Sequence, residues 1–168
     1  MARVILALIL SGFMVTAARA QAPPSPVDRW DSGLLIDTLH GLGATEVHVG
    51  GADGRPTLAA VTREGLNVAL YAKGCQTPPP VSGGLCHAIE GVITFDLSQR
   101  SDRVALTDQL NHGFAMGKFT VEPDGSLRAT RYFLLDGGVT QDNLRQELID
   151  FFTVGVLTRQ TIWPQAPH

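Results

Sequence analysis

The chain's pattern predicts an α+β fold, an antiparallel sheet with helices on one side, in the order α-β-β-β-β-α-β-β-α. Three observations carry that reading. Short alternating segments separated by Gly-rich turns follow one another closely between Thr45 and Lys73, the signature of an antiparallel meander. A stripe at helical spacing, Leu144, Leu148, Phe151, Phe152 and Val156, runs near the C-terminus. With 168 residues, 44% hydrophobic and 17% charged, the composition is that of a globular chain with core enough for one domain.

The elements follow in order. Asp31 or Ser32 caps a first helix in which Leu35, Ile36, Leu39 and Leu42 recur, and Gly41 and Gly43 end it. Thr45 to Val49 alternates, with Val47 and Val49 on one face and His48 on the other. Asp53-Gly54 is a hairpin turn, and Thr57 to Thr62 returns as the second strand. After Arg63-Glu64-Gly65 comes the clearest strand, with Leu66, Val68, Leu70 and Ala72 inward and Asn67, Tyr71 and Lys73 outward. A loop from Gly74 to Gly84 contains Pro78-Pro79-Pro80 and Gly83-Gly84. Ile89, Ile93, Phe95 and Leu97 share one face of a fourth strand, which Gly91 is expected to interrupt at a bulge. Ser101 or Asp102 caps a second helix running to about Asn111, with Val104 and Leu106 or Leu110 inward. Phe119 and Val121 open a fifth strand, Pro123-Asp124-Gly125 turns it, and Leu127 to Leu135 forms the sixth, ended by Asp136-Gly137-Gly138. Thr140 caps the last helix, which cannot continue past Pro164.

The first twenty residues read as an export signal. Arg3 supplies the positive start, an apolar run follows, and Ala18-Arg19-Ala20 ends it in a small-x-small pattern, which places cleavage between Ala20 and Gln21. Val4 to Ala18 gives only 15 uncharged residues, short of the roughly 18–20 a spanning helix needs. The expected product is a soluble periplasmic protein with no membrane contact after cleavage. Residues 21–29, rich in Pro, read as an extended leader before the fold.

The charge, -3, gives no basic face for nucleic acid. Cys75 and Cys86 bracket the Pro/Gly loop. In an exported chain an even pair is most simply a disulfide, worth about 3 kcal/mol for so short a loop. Free or regulatory thiols, or metal or redox chemistry with His87, are the alternatives; C-x-x-C is absent and a zinc site would need further ligands. His40, His48, His87, His112 and His168 are scattered and show no metal-ligand spacing. There is no nucleophile elbow, phosphate loop or dinucleotide fingerprint. Asp53, Asp124 and Asp136 each precede Gly and read as turn formers, and Asp142, Glu147 and Asp150 as the wet face of the last helix. No catalytic, cofactor-binding or metal-binding residue is singled out, and no cofactor is expected.

Gln109-Leu110-Asn111 at a helix end, Gly117-Lys118 at a strand start, the Asp124-Gly125 hairpin and the run from Leu134 to Leu144 (LLDGGVTQDNL) resemble the YbjN family over about Trp30 to Phe152, most clearly from Leu106 onward. Many relatives carry a Cys near the loop after the third strand, where Cys75 stands. The family is described as bacterial sensory transduction regulators, with no established enzyme activity or cofactor. The resemblance implies a fold similar to type III secretion chaperones, which often dimerise and bind extended partner segments. The expected organisation is a signal peptide (1–20), a leader (21–29), one YbjN-like domain (30–160) and a tail (161–168). The expected function is that of an exported non-enzymatic binding or regulatory module recognising a protein or peptide, with a homodimer among its possible states. The other classes are an envelope ligand-binding or stress-protective protein, or a small exported hydrolase or redox enzyme.

Overall fold

A computed structural model describes residues 25–52, 55–76 and 86–164. The export signal, the Ala20–Gln21 site, the Asp53-Gly54 turn, the Pro78–Pro80 loop and His168 lie outside them. The order is α1 (Ser32–Gly41), β1 (Thr45–Ala52), β2 (Arg55–Val61), β3 (Asn67–Cys75), β4 (Cys86–Asp96), α2 (Arg103–Gly113), β5 (Lys118–Val121), β6 (Ser126–Leu134) and α3 (Gln141–Ile162). One antiparallel sheet has the strand order β1-β2-β3-β4-β6-β5. The first four strands form the expected meander. The chain then crosses by α2 to the far edge, and the β5–β6 hairpin inserts β6 between β4 and β5.

The core is the face of the sheet on which the helices lie. Val68, Leu70 and Ala72 of β3 are in register with Ile93, Gly91 and Ile89 of β4, and Ile93 and Ile89 with Ala129 and Phe133 of β6. On this layer α3 sets Leu144, Leu148, Phe151 and Phe152, all buried, as the stripe requires. Its first turn is capped by Thr140, whose hydroxyl accepts from Asn143 N–H at 3.1 Å. At its other end Arg100 donates to the Ile162 carbonyl at 2.6 Å, and Trp163 leans on Phe95 with ring centroids 6.3 Å apart. Asp31 caps α1, accepting from Leu34 N–H at 3.0 Å, and Leu35 and Leu39 are buried beneath it.

Several local expectations are corrected. Gly91 is not a bulge: the β3 and β6 ladders both pass it without a shift. A Cβ there would lie 2.8 Å from Cε1 of Phe151 and 3.0 Å from Cε2 of Phe133, so the missing side chain is what lets α3 approach the sheet. The irregularity falls in β1, where the register shifts between Thr45 and His48 and Glu46 has φ 53°. Beyond it Val47 is half-buried, but Val49 stands 63% exposed at the sheet edge. In α2, Val104 is 66% exposed, and Leu106, Thr107 and Leu110 make the inner face. Asp102 is the N-cap residue but makes no cap bond, because its carboxylate is held by Arg100 at 2.6 and 2.8 Å.

The segment read as a leader joins the fold before its end. Val27 is buried and exchanges two backbone hydrogen bonds with Val139 (2.8 and 3.0 Å), and Trp30, also buried, donates its N–H to the Cys86 carbonyl at 2.7 Å. Gly138, at φ +83°, makes this docking possible, since a Cβ there would sit 2.8 Å from that of Pro26.

Candidate functional site

Strand length creates the site. β5 has four residues and β6 nine, and their pairing stops at Lys118 opposite Thr130. Along Arg131–Leu134 no strand among the described residues covers the side of β6 away from β4. Leu135 N–H donates to the His87 carbonyl at 2.9 Å. Because antiparallel bonding alternates along a strand, Leu135, Phe133 and Arg131 turn their backbone groups to β4. Tyr132 and Leu134 therefore aim an N–H and a C=O each at the open side. Their side chains lie on the helix-free face, 54% and 66% exposed, and Met116, just ahead of β5, is a further exposed apolar residue.

The neighbouring part of the edge is closed. Phe119 of β5 points its backbone groups away from β6, toward α2. Its N–H donates to Asn111 Oδ1 at 2.9 Å, and Asn111 Nδ2 donates to its carbonyl at 3.0 Å. One amide side chain thus replaces a strand. An uncovered edge is an invitation to pair, and on this side of β6 it falls at the two residues beyond the reach of β5.

Beside the open stretch, the start of α3 and the end of β6 enclose a cleft of about 430 Å³. Phe133, Leu135, Val139 and Leu144 supply its apolar surfaces, and Asn143, Gln146 and Glu147 its polar wall. Glu147 is bound to Arg131, which lies on the helix-facing side of the sheet, 14% exposed, with its guanidinium 5.4 Å from the Phe133 ring centre. The turn that closes the cleft, Asp136 to Val139, is held by the docked N-terminal segment. His87 Nδ1 lies 3.0 Å from the Asp28 carbonyl and 3.2 Å from Asp136 Oδ1. Both partners accept, so this geometry needs the proton on Nδ1.

The residues singled out from sequence are placed as follows. Cys75 and Cys86 are directly opposed on β3 and β4 and are joined by a disulfide. Its Cys86 end is fully buried, and His87 serves Asp28 and Asp136. His40, His48, His87 and His112 lie on four different elements, α1, β1, β4 and α2. Among the described residues no group of three His, Cys, Asp or Glu could hold a metal ion, and no helix is long and apolar enough to cross a membrane. The carboxyls whose ionisation is shifted all sit in local polar bonds. Arg29 holds Asp28 below the usual carboxylate range, Arg100 does so for Asp102, and bonds from Ser98 and Ser126 do so for Asp96 and Asp124. None of these four lines the cleft.

Sequence reasoning missed the open edge of β6, and the only signals for it were the unequal strand lengths and the apolar Tyr132 and Leu134 on an outward face. No curated protein matches the chain. Residues 80–152 match the YbjN family model, described as "Putative bacterial sensory transduction regulator". The match starts later than the expected Trp30 and ends at the expected Phe152. Over that segment, which contains β4, α2, β5, β6 and the half of α3 that walls the cleft, the chain is YbjN-like.

Proposed function

We propose that this is a non-enzymatic regulatory module of the YbjN type, exported by residues 1–20, which works by taking an extended segment of a partner protein onto the open edge of β6. The observation that carries the reading is the pair of outward backbone groups at Tyr132 and Leu134, set between exposed apolar side chains and a cleft. A strand added there gains main-chain hydrogen bonds from the edge, and the alternate side chains enter the cleft or lie across the helix-free face. The YbjN match supports a regulatory or binding role in general. The chemistry of the cleft supports binding over turnover: its charged group, Glu147, is already held by Arg131.

Tyr132→Pro tests this. Proline removes an N–H that faces the open side and leaves the β4–β6 ladder intact, a position where strands tolerate it. The variant should keep its thermal midpoint to within a few degrees and lose affinity for extended peptides selected on the parent protein from a random display library. Retained affinity in a folded Tyr132→Pro protein, or a library that yields no binder, overturns the reading.

A further inference from the structure

We propose that the segment received by this edge carries a lysine or arginine opposite Phe133, between two apolar residues. This rests on the edge-binding reading above and specifies its partner. In a strand added to β6, the residue opposite Phe133 points to the same face as Phe133, into the cleft, and its two neighbours point to the helix-free face beside Tyr132 and Leu134. The two faces of the added strand therefore meet different chemistry.

On the helix-free face the neighbours are the exposed Tyr132 and Leu134, which favour apolar partners. Inside the cleft the floor is apolar, from Phe133 and Leu144, but the wall is the polar stripe of α3. Glu147 is half exposed there; Asp150, one turn on and outside the cleft lining, accepts from Gln146 Nε2 at 2.9 Å and adds a second negative charge beside it. The cation facing this wall is Arg131, whose Nη2 is bound to Glu147 and whose Nη1, among the described residues without a hydrogen-bond partner, is buried out of reach of an incoming side chain. An acidic side chain would meet the exposed carboxylate of Glu147 in front of the buried guanidinium. A short apolar one would take from water the half of Glu147 that Arg131 leaves exposed, with no hydrogen bond in return. A lysine or arginine fits both surfaces, laying its aliphatic stem on Phe133 and Leu144 and presenting its charge to Glu147, with Asp150 a turn further along α3. The charge of the chain, -3, favours the same sign of partner over longer range.

Short peptides with palindromic sequence, Ser-Thr-Val-Lys-Val-Thr-Ser and its central Glu and Leu versions, present the same order of side chains in either strand direction, so comparing the three probes the central position. Fluorescence anisotropy with the full chain should place the Lys peptide on the order of tenfold tighter than the Glu peptide at low salt, with the gap narrowing as salt rises. Asp150→Asn and Glu147→Gln should each reduce that preference, and a thermal midpoint on each variant separates lost charge from lost fold. Equal binding of all three peptides, with the Tyr132 and Leu134 amides protected from exchange, overturns the basic preference and leaves the edge reading standing. No binding by any peptide, or amides already protected because a second copy of the chain fills the edge, overturns both.

Discussion

Asn111 gives Phe119 both of the hydrogen bonds that a neighbouring strand would supply, at 2.9 and 3.0 Å. The amide stands at the end of α2 and closes the outer side of β5 at Phe119, next to the point where β5 ends and the open stretch of β6 begins. Asn111→Ala should therefore leave the Phe119 backbone groups without their partners and destabilise the fold by about 1–3 kcal/mol. Asn111→Asp keeps the acceptor and loses the donor, so it should cost less than alanine. Chemical denaturation of the three proteins checks the order.

Gly91 and Phe151 are a close meeting of helix and sheet. Gly91→Ala introduces a Cβ 2.8 Å from the Phe151 ring and should destabilise by about 1–3 kcal/mol through overpacking. Phe151→Ala should cost about 3–5 kcal/mol through the cavity it leaves. The two should be less than additive when combined, because the alanine at position 91 then enters space that the ring has vacated. A double-mutant cycle from denaturant midpoints measures this.

The Cys75–Cys86 bridge should resist alkylation in the native protein without reductant, and intact mass should rise by about two hydrogens on reduction. Replacing either Cys should destabilise by about 2–4 kcal/mol, since the bridge restricts the unfolded chain across a short loop.

The four carboxyls held below their ordinary range, Asp28, Asp96, Asp102 and Asp124, fix the direction of the acid response. A depressed folded-state value means a contribution that is present above about pH 4, the unfolded aspartate value, and is lost as pH falls through the folded one. All four are at the surface, so the effect is small and salt-sensitive. Thermal midpoints should be level in this respect from about pH 5 upward and decline below about pH 4. Asp102→Asn should flatten the decline.

Export gives a separate test. N-terminal sequencing of the protein recovered from the cell envelope should begin at Gln21, and a retained Met1 would contradict the export reading.

What could be read from the sequence follows from what is local or periodic. The α3 stripe and the alternation of β3 announced themselves because one side of each is buried, and Thr140 because a cap is a matter of three residues. Val104 was misplaced because α2 carries few apolar residues and more than one phase fits them. Gly91 was misread because a bulge and a close approach select the same residue, and only the position of the Phe151 ring separates them. The docking of Val27 on Val139 joins segments far apart in sequence, with no periodicity to mark it. The open edge was illegible for another reason: it is a difference between two strand lengths, and the alternating residues of β6 look the same whether or not β5 runs beside them.

Native-state hydrogen exchange of the amides of residues 131 to 134, with and without an edge-binding peptide, reads the open edge most directly. Arg131 and Phe133, bonded to β4, should exchange slowly in both states, while Tyr132 and Leu134 should exchange fast alone and slow markedly when the peptide is bound. Tyr132 and Leu134 amides that are as protected as Phe133 in the unbound protein, or that stay fast under saturating peptide, would contradict it.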